Sequence, residues 1–323
     1  MYKYTIKRIL LMIPTLIGAG LLVFMLMRMI PGDICEIRLG GTGLMVDKEQ
    51  IDICREDLGL NQSMAKQFYD FAIGIATFNF GDSMWTGRPV TEEIAARFEL
   101  TLQIAIMATL TAAIIALPFG VLSAVKQNTW IDYCIRLVSI AGIATPSFWL
   151  GIMIILGLLI GSQALFGEPW MMPILFVPIY VDPLANLSQT IFPAVAVGYR
   201  YAAVVVRMTR SAMLEVLRED YVRTARAKGL FEKVIVNQHA LKNALLPVIT
   251  LIGIEFAFLI GGLVVTEQVF NLNGLGKLFV DAVLDHDFTL TQALVMMVVG
   301  IFVMVNLLVD LIYAWIDPRI HYS

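Results

Sequence analysis

The stretch TLQIAIMATLTAAIIALPFGVLSAV, from Thr101 to Val125, contains no charged side chain. The hydrocarbon core of a bilayer is about 30 Å thick, and a helix needs about 20 mostly apolar residues to cross it. At that depth every backbone polar group must be satisfied inside the protein, which a helix achieves by itself. The stretch therefore predicts one membrane-spanning helix.

The rest of the chain has the same character. Of its 323 residues, 59% are hydrophobic and 15% are charged, whereas soluble domains are typically about 45–50% apolar and about 25% charged. A net charge of −3 argues against a nucleic-acid-binding protein. The predicted fold class is all-α integral membrane, with six transmembrane helices at roughly 9–30, 100–125, 137–161, 187–206, 245–266 and 288–309. A shorter run, 171–181, contains two prolines and is predicted to be interfacial or re-entrant.

Lysine and arginine set the predicted orientation, because cytoplasmic loops carry an excess of them. With the N-terminus inside, the inner segments contain 14 of these residues and the outer segments 7. Both termini are therefore predicted to be cytoplasmic. The predicted division is an N-terminal span (1–30), an extracytoplasmic loop with helical patterns at 47–58 and 62–75 (31–98), a core of five spans with a cytoplasmic loop at 207–244 (99–315), and a cytoplasmic tail (316–323).

No catalytic or metal-binding motif is present in the sequence. The nearest approach to a P-loop, NLNGLGKL at 271–278, lacks the first glycine and the final Ser or Thr, and a turn is the better interpretation. The chain has three histidines and neither an H-E-x-x-H nor a G-x-S-x-G pattern. The acidic residues of Asp-His-Asp (285–287) are predicted to be solvated surface rather than a cation site. We therefore predict no catalytic residue and no metal.

Cysteine usage leaves one question open. Cys35 and Cys54 share the outer loop and could form a disulfide in an oxidising compartment. Two free thiols are the favoured alternative, because sequence gives no Cα separation.

Two charged residues lie near the middle of predicted spans. Arg200 and Glu255 are costly to place in a bilayer and should face a partner or a watery path. They either pair for rigidity or line a route for a solute. Prolines and glycines also fall in the spans, and close helix packing is the default interpretation. They are Pro118, Pro146, Pro193, Pro247, Gly142, Gly151, Gly198, Gly253, Gly261 and Gly262.

The segment YVRTARAKGL (221–230) is basic and lies in the long cytoplasmic loop. Acidic residues precede it and Lys228 comes late, which complements a helix dipole, and Gly229 suits a left-handed C-terminal position. A short helix ending near Lys228 is predicted. Its semi-apolar face contains Leu214, Leu217, Tyr221 and Ala225. That face lacks the bulky side chains of a lipid-bound helix, so docking of another protein is favoured over binding to anionic lipid.

At these residues the chain resembles a known family. VRMTRSAMLEVLREDYVRTARAKGL (206–230) and HALKNALLPV (239–248) are similar to permease subunits of the dipeptide/oligopeptide/nickel class of bacterial ABC importers. Further matches cover essentially the whole chain in order. They are IPGD (30–33), FGDS with RPV (80–90), PFGVLSAVKQ (118–127), TPSFWLGI (145–152), NLNGLGKL (271–278) and NLLVDLIYAWIDPRI (306–320).

The resemblance implies a type I ABC importer permease in a bacterial inner membrane. The implied partners are a second homologous permease, two cytoplasmic ATPases that hold ATP and Mg, and an extracytoplasmic solute-binding protein; this chain itself would bind no cofactor. In the family, the region around 221–229 is the coupling helix, which docks on an ATPase. The positions that this implies for ATPase coupling are Asp220, Tyr221, Arg223, Ala225, Lys228 and Gly229.

The resemblance favours import of di- or oligopeptides. Nickel chelates, glutathione-like solutes and oligosaccharides are alternatives within the class. Two features depart from the dipeptide permeases: a short outer segment between the third and fourth spans, and the Arg200/Glu255 pair. A different class, an ion-coupled transporter with Glu255 or Asp310 as proton site, is disfavoured because the two halves show no repeat.

Overall fold

The computed structural model describes residues 2–29, 34–40, 47–173 and 175–316. Over these ranges the regular structure is helical, apart from an isolated bridge between Asp82 and Pro89. The predicted IPGD turn (30–33) and most of the predicted tail (316–323) lie outside the described residues. The helices are α1 (Tyr2–Met29), α2 (Ile34–Gly40), α3 (Lys48–Asp57), α4 (Met64–Thr77), α5 (Val90–Val125), α6 (Trp130–Ala144), α7 (Ser147–Phe166), α8 (Pro183–Val216), α9 (Asp220–Ala227), α10 (Glu232–Val234), a π-helical turn (Ile235–Ala240), α11 (Leu241–Gly262), α12 (Val264–Val269), α13 (Leu275–Leu284) and α14 (Phe288–Ile316).

Among the described residues, six helical segments are long and apolar enough to cross a membrane. This number agrees with the prediction, and the helical patterns at 47–58 and 62–75 are confirmed as α3 and α4. The segments are Thr5–Met29, Val90–Val125, Ser147–Phe166, Pro183–Val216, Glu232–Gly262 and Phe288–Ile312.

The prediction of a single span over 137–161 is wrong. Helix α6 ends at Ala144, Thr145 has an extended backbone (φ −83°, ψ 120°), and α7 begins after Pro146. Proline disfavours the helical conformation of the residue before it and has no N–H to donate to the preceding turn. The apolar pattern therefore contains two helices, and only α7 has the length of a span.

The proline-containing run 171–181 is non-helical where it is described, and α8 supplies partners for its backbone. The buried side chain of Gln189 donates to the carbonyl oxygens of Pro173 (2.9 Å) and Leu175 (2.5 Å) and accepts from the Val177 N–H (3.1 Å). Asn186 Nδ2 donates to the Val177 carbonyl (2.8 Å). Two side-chain amides thus replace the bonds that a helix would have made internally.

The chain divides into two compact units, the first made of residues 1–99 and 274–304. In this unit the ring of Phe24 on α1 contacts Phe68 and Phe71 on α4, with centroids 5.6 and 5.9 Å apart. An apolar core joins the start of α5 to α13 and α14. Its buried members are Val90, Leu275, Leu278, Ala282, Leu290, Ala293 and Leu294.

Of the two acidic residues of 285–287 predicted to be solvated, Asp285 is exposed, but the prediction is wrong for Asp287. Its side chain is buried and accepts from the Leu290 N–H (3.0 Å) at the start of α14, from the Trp85 N–H (3.3 Å) and from the Ser83 hydroxyl. Asp287 therefore caps a helix and fixes the loop around 83–85, because a buried carboxylate needs such donors.

The second unit comprises residues 100–273 and 305–323. Helix α8 is its most buried span and packs against α6, α7 and α11. At Gly198 the backbone approaches α5 so closely that an added Cβ would lie 2.8 Å from the Ala108 carbonyl oxygen. The prediction of close glycine-mediated packing is confirmed there and is wrong for Gly262, where nothing lies within 4 Å of an added Cβ. Comparable close approaches occur at Gly120, Gly142, Gly151 and Gly253.

We predict that Gly198→Ala destabilises the protein, because its methyl group would overlap a backbone oxygen that cannot move without shifting α5. Overpacking of this kind costs about 1–3 kcal/mol. A lower midpoint of thermal unfolding of the detergent-solubilised protein is the expected result. Gly157→Ala is the matched control, since nothing lies within 4 Å of its added Cβ. Equal midpoints for the two variants would contradict the packing argument.

Candidate functional site

Helix α9 forms where the sequence predicts it. Its N-cap, Glu219, is extended, Asp220 lies in the first turn, and the helix ends at Ala227 with Lys228 as C-cap. Gly229 has φ +77°, and the Leu230 N–H reaches back to the Ala225 carbonyl at 3.4 Å. A left-handed residue that closes a helix in this way favours glycine, so the predicted end near Lys228 is confirmed.

The buried face of α9 differs from the predicted one. Val222 and Ala225 are buried against Ile235 of the π-helical turn, with Leu217 beside them. Tyr221, which was predicted to share the face with Ala225, is 39% exposed. Ala225 therefore lies inside the protein, where its small side chain lets α9 pack closely on the π-helical turn.

The other five predicted coupling positions are exposed: Asp220, Tyr221, Arg223, Lys228 and Gly229. Arg223 pairs with Asp220 at 3.1 Å. Lys228 has no carboxylate within 4.0 Å among the described residues. Local pairing therefore neutralises part of the basic charge and leaves Lys228 available to a partner.

Two neighbouring residues were not among the predicted positions. Arg226 makes a two-pronged contact with Glu232 (Nε–Oε2 3.2 Å, Nη2–Oε1 2.7 Å) that fixes the turn after α9. Phe231 is 82% exposed and gives this polar surface a large apolar side chain. A lone phenylalanine in a charged loop is the sequence signal that could have identified it.

Tyr221 joins α9 to the start of α11. Its hydroxyl accepts from Asn243 Nδ2 at 2.7 Å and donates to the His239 carbonyl at 3.4 Å. His239 belongs to the π-helical turn and Asn243 to the first turn of α11. No sequence pattern marks this pair, because 22 residues separate its members. A displacement of α9 would therefore be transmitted to α11 through this hydrogen bond.

Arg200 lies on α8 and Glu255 on α11. Arg200 is exposed and Glu255 is half-buried. They are not joined by an ion pair within 4.0 Å among those found in the described chain. The direct pairing considered from the sequence is thus not formed in this structure.

A buried carboxylate that sequence reasoning missed lies at the start of α6. Asp132 accepts from Arg210 Nε (2.8 Å) and Nη2 (2.9 Å), from the Ser123 hydroxyl (2.5 Å) and from the Asn128 N–H (3.0 Å). The bond from Arg210 holds the pKa of the Asp132 carboxyl well below its usual range, although burial acts in the opposite direction. Asp132 is therefore ionised at physiological pH and binds α5, α6 and α8 together.

Cys35 and Cys54 form a disulfide with a Cα separation of 5.9 Å, where the sequence had favoured two free thiols. It joins α2 to α3, whose adjacency cannot be seen from spacing. Cys134 is free and exposed. Within the described residues, no group of three or more His, Cys, Asp or Glu side chains is placed to hold a metal ion.

The fold defines a class. It is similar to a chain of the MetNI methionine ABC transporter in an inward-facing conformation, with a TM-score of 0.55 and 18% identity over 70% of this chain and 97% of that chain. This is the fold of a type I ABC importer permease. The sequence matches the family of binding-protein-dependent transport system inner membrane components over residues 116–322, and the N-terminal component of such systems over residues 1–105. The chain belongs to this family.

Two relatives are similar over their whole length. The glutathione transport system permease protein GsiC of Pectobacterium atrosepticum is 38% identical over 326 residues, and that of Escherichia coli strain K12 is 38% identical over 323 residues, with full coverage of both chains in each case. The chain is therefore a permease subunit of an ABC importer of the peptide/nickel class and a multi-pass protein of the bacterial inner membrane. It is not the ATPase of that system.

We predict that the unfolded, unreduced chain has one thiol that reacts with maleimide, Cys134, because the disulfide blocks the other two cysteines. Reduction should raise the number of labels to three, counted by mass spectrometry. A Cys134→Ser variant is the control, with no label before reduction. Three labels on the unreduced wild-type chain would show that the disulfide is not formed.

Proposed function

We propose that this chain forms half of the translocation pathway of an ATP-driven importer of short peptides and works by alternating access. The observation that carries the proposal is the placement of α9. It is exposed along one side, packed on the π-helical turn along the other, and hydrogen-bonded to α11 through Tyr221 and Asn243. A short helix held in this way can be displaced by a cytoplasmic partner and can transmit the displacement to α11.

The proposed assembly contains a second homologous permease, two cytoplasmic ATPases and an extracytoplasmic solute-binding protein. ATP and Mg would be held by the ATPases, while this chain catalyses no covalent reaction. Closure of the ATPases on ATP would displace α9 and turn the spans from inward- to outward-facing. Rigid-body change of packed helices is a common route for such transitions.

The proposed contact surface consists of Asp220, Tyr221, Arg223, Lys228 and Gly229, to which the structure leads us to add Phe231. Lys228 would meet a carboxylate of the ATPase, and Phe231 would enter an apolar depression. Charged and apolar contacts of this kind supply orientation and affinity, respectively. Ala225 contributes indirectly, because it sets the distance between α9 and the π-helical turn.

The proposed solutes are di- and oligopeptides, with glutathione as the first to test. Arg200 on α8 and Glu255 on α11 are a cation and an anion in membrane-spanning helices, and no ion pair within 4.0 Å joins these two described residues. A solute with both an ammonium and carboxylate groups could satisfy both side chains, whereas a neutral oligosaccharide would not require them. The glutathione permeases named above, at 38% identity, support this choice within the class.

ATP-driven uptake in proteoliposomes tests the proposal. We expect the complete assembly to accumulate solute with ATP and its binding protein, and Gly229→Asp to abolish copurification of the ATPases and lower uptake at least tenfold. The added Cβ meets nothing within 4 Å in this chain, so any loss beyond the backbone strain at φ +77° would come from bulk and negative charge at the docking surface.

Gly167→Asp is the matched control for this experiment. Gly167 also ends a helix, has φ +80°, and has nothing within 4 Å of an added Cβ. It carries the same backbone strain and the same new charge away from α9. Normal coupling in Gly229→Asp would refute the docking role. Uptake by this chain alone under a proton gradient would instead support an ion-coupled transporter.

The path residues give a separate prediction. We expect Arg200→Gln and Glu255→Gln each to raise the KM for uptake about tenfold or more, since hydrogen bonds to charged groups are worth about 1.5–3 kcal/mol. Assembly with the ATPases should be unchanged. Uptake kinetics and copurification are measured on the same preparations. Unchanged kinetics in both variants would remove these residues from the path.

A further inference from the structure

The buried Asp132 carboxylate on α6 is hydrogen-bonded to side chains of α5 and α8. The side chain is fully buried, and its donors come from the end of α5 (Ser123), the loop after it (Asn128) and α8 (Arg210). Both carboxylate oxygens take part in the two-pronged contact with the Arg210 guanidinium, which is the geometry that fixes direction as well as distance. The relative position of α5, α6 and α8 is therefore fixed at this point.

Close backbone contacts hold the same three helices along their length. A Cβ on Gly120 of α5 would lie 2.5 Å from Thr209 Cβ, which precedes Arg210 on α8. A Cβ on Gly142 of α6 would lie 2.9 Å from Ala203 Cβ on α8. Interiors packed this tightly transmit displacement rather than absorb it. Helices α5, α6 and α8 therefore form one braced group.

The side-chain bonds of α9 lead to different elements. Tyr221 bonds to Asn243 and His239, and Arg226 to Glu232, so α9 is tied to α10, the π-helical turn and α11. This second group contacts the braced group through an apolar cluster of alanines and larger side chains. The cluster includes Ala124, Ala212, Ala240 and Ala244, with Met213 and Val236. Apolar contact is non-directional, so such an interface has no bond of fixed direction and allows a small shift of one packed helix on the other.

We propose that Asp132 and Arg210 are positioning residues for transport: they fix α8 to α5 and α6, so that a push on α9 moves α11 relative to α8. This inference rests on the proposed docking role of α9. Without the brace, α8 would follow α11, and the faces that carry Arg200 and Glu255 would not separate. ATP would then be hydrolysed without a matching movement of solute.

The test uses the complete assembly in proteoliposomes and two variants, Arg210→Lys and the double variant Asp132→Asn/Arg210→Gln. The lysine keeps the charge but loses the two-pronged contact, and the double variant leaves no unpaired buried charge. We expect ATP hydrolysis within about twofold of wild type and solute transported per ATP lowered about tenfold, within the usual range of coupling between sites. Arg136→Gln is the matched control, because Arg136 is an exposed cation on α6 whose described contact is with the ring of Tyr133 on the same helix.

The ratio of solute to ATP separates positioning from stability. If the pair were purely structural, the variants would give less assembled transporter, but each assembled complex would transport as much solute per ATP as wild type. That result would overturn the proposal. Failure of both variants to assemble would assign the pair to folding alone and would overturn it too. If the wild-type assembly shows no ATP-driven uptake, the proposed function fails, and this inference fails with it. If the wild type and both variants transport the same amount of solute per ATP, only this inference fails.

Discussion

In hydrocarbon, each backbone N–H and C=O must find its partner within the protein, and most of this structure follows from that requirement. Six long helical segments satisfy it internally. Where the chain cannot be helical, other groups supply the bonds. The break at Thr145 and Pro146 removes a proline from the helix interior, and the side chains of Gln189 and Asn186 satisfy the non-helical backbone around Pro173 and Val177. Irregular backbone therefore occurs next to side chains that complete it.

The buried carboxylates obey the same rule for charge. Asp132 accepts four hydrogen bonds, Asp287 caps α14, and Glu267 accepts from Thr101 at 2.7 Å. Each lies at or near a helix end, where backbone N–H groups or neighbouring helices offer donors. Removing one partner of a buried pair leaves an uncompensated charge, which costs far more than an exposed pair contributes. These groups therefore fix helix positions more firmly than the exposed pair Arg223–Asp220 on α9.

Local chemistry explains what could be predicted from the sequence. Uncharged apolar runs determine the spans, and Gly229 determines the end of α9, because each depends on neighbours a few residues away. The disulfide, the inward orientation of Ala225 and the Tyr221–Asn243 bond depend on how distant segments meet. The predicted buried face of α9 assumes one continuous helix from Leu214 to Ala225. In the structure α8 ends at Val216 and α9 begins at Asp220, so the turn between them changes which side chains of α9 point inward. Residues 217–219 contain no glycine or proline that would have predicted this turn.

Arg200 places an exposed charge on a membrane-spanning helix. It lies near the middle of a span, yet its side chain is exposed and has no ion-pair partner within 4.0 Å among the described residues. An arginine facing lipid at that depth is costly, and such residues face a bundle interior or a watery cavity. Glu255 does not neutralise it, because no ion pair within 4.0 Å joins these two described residues. A second subunit with water between the two chains would solvate the guanidinium. The proposed permease pair would supply such water, and the cavity that hydrates Arg200 would then belong to the proposed path.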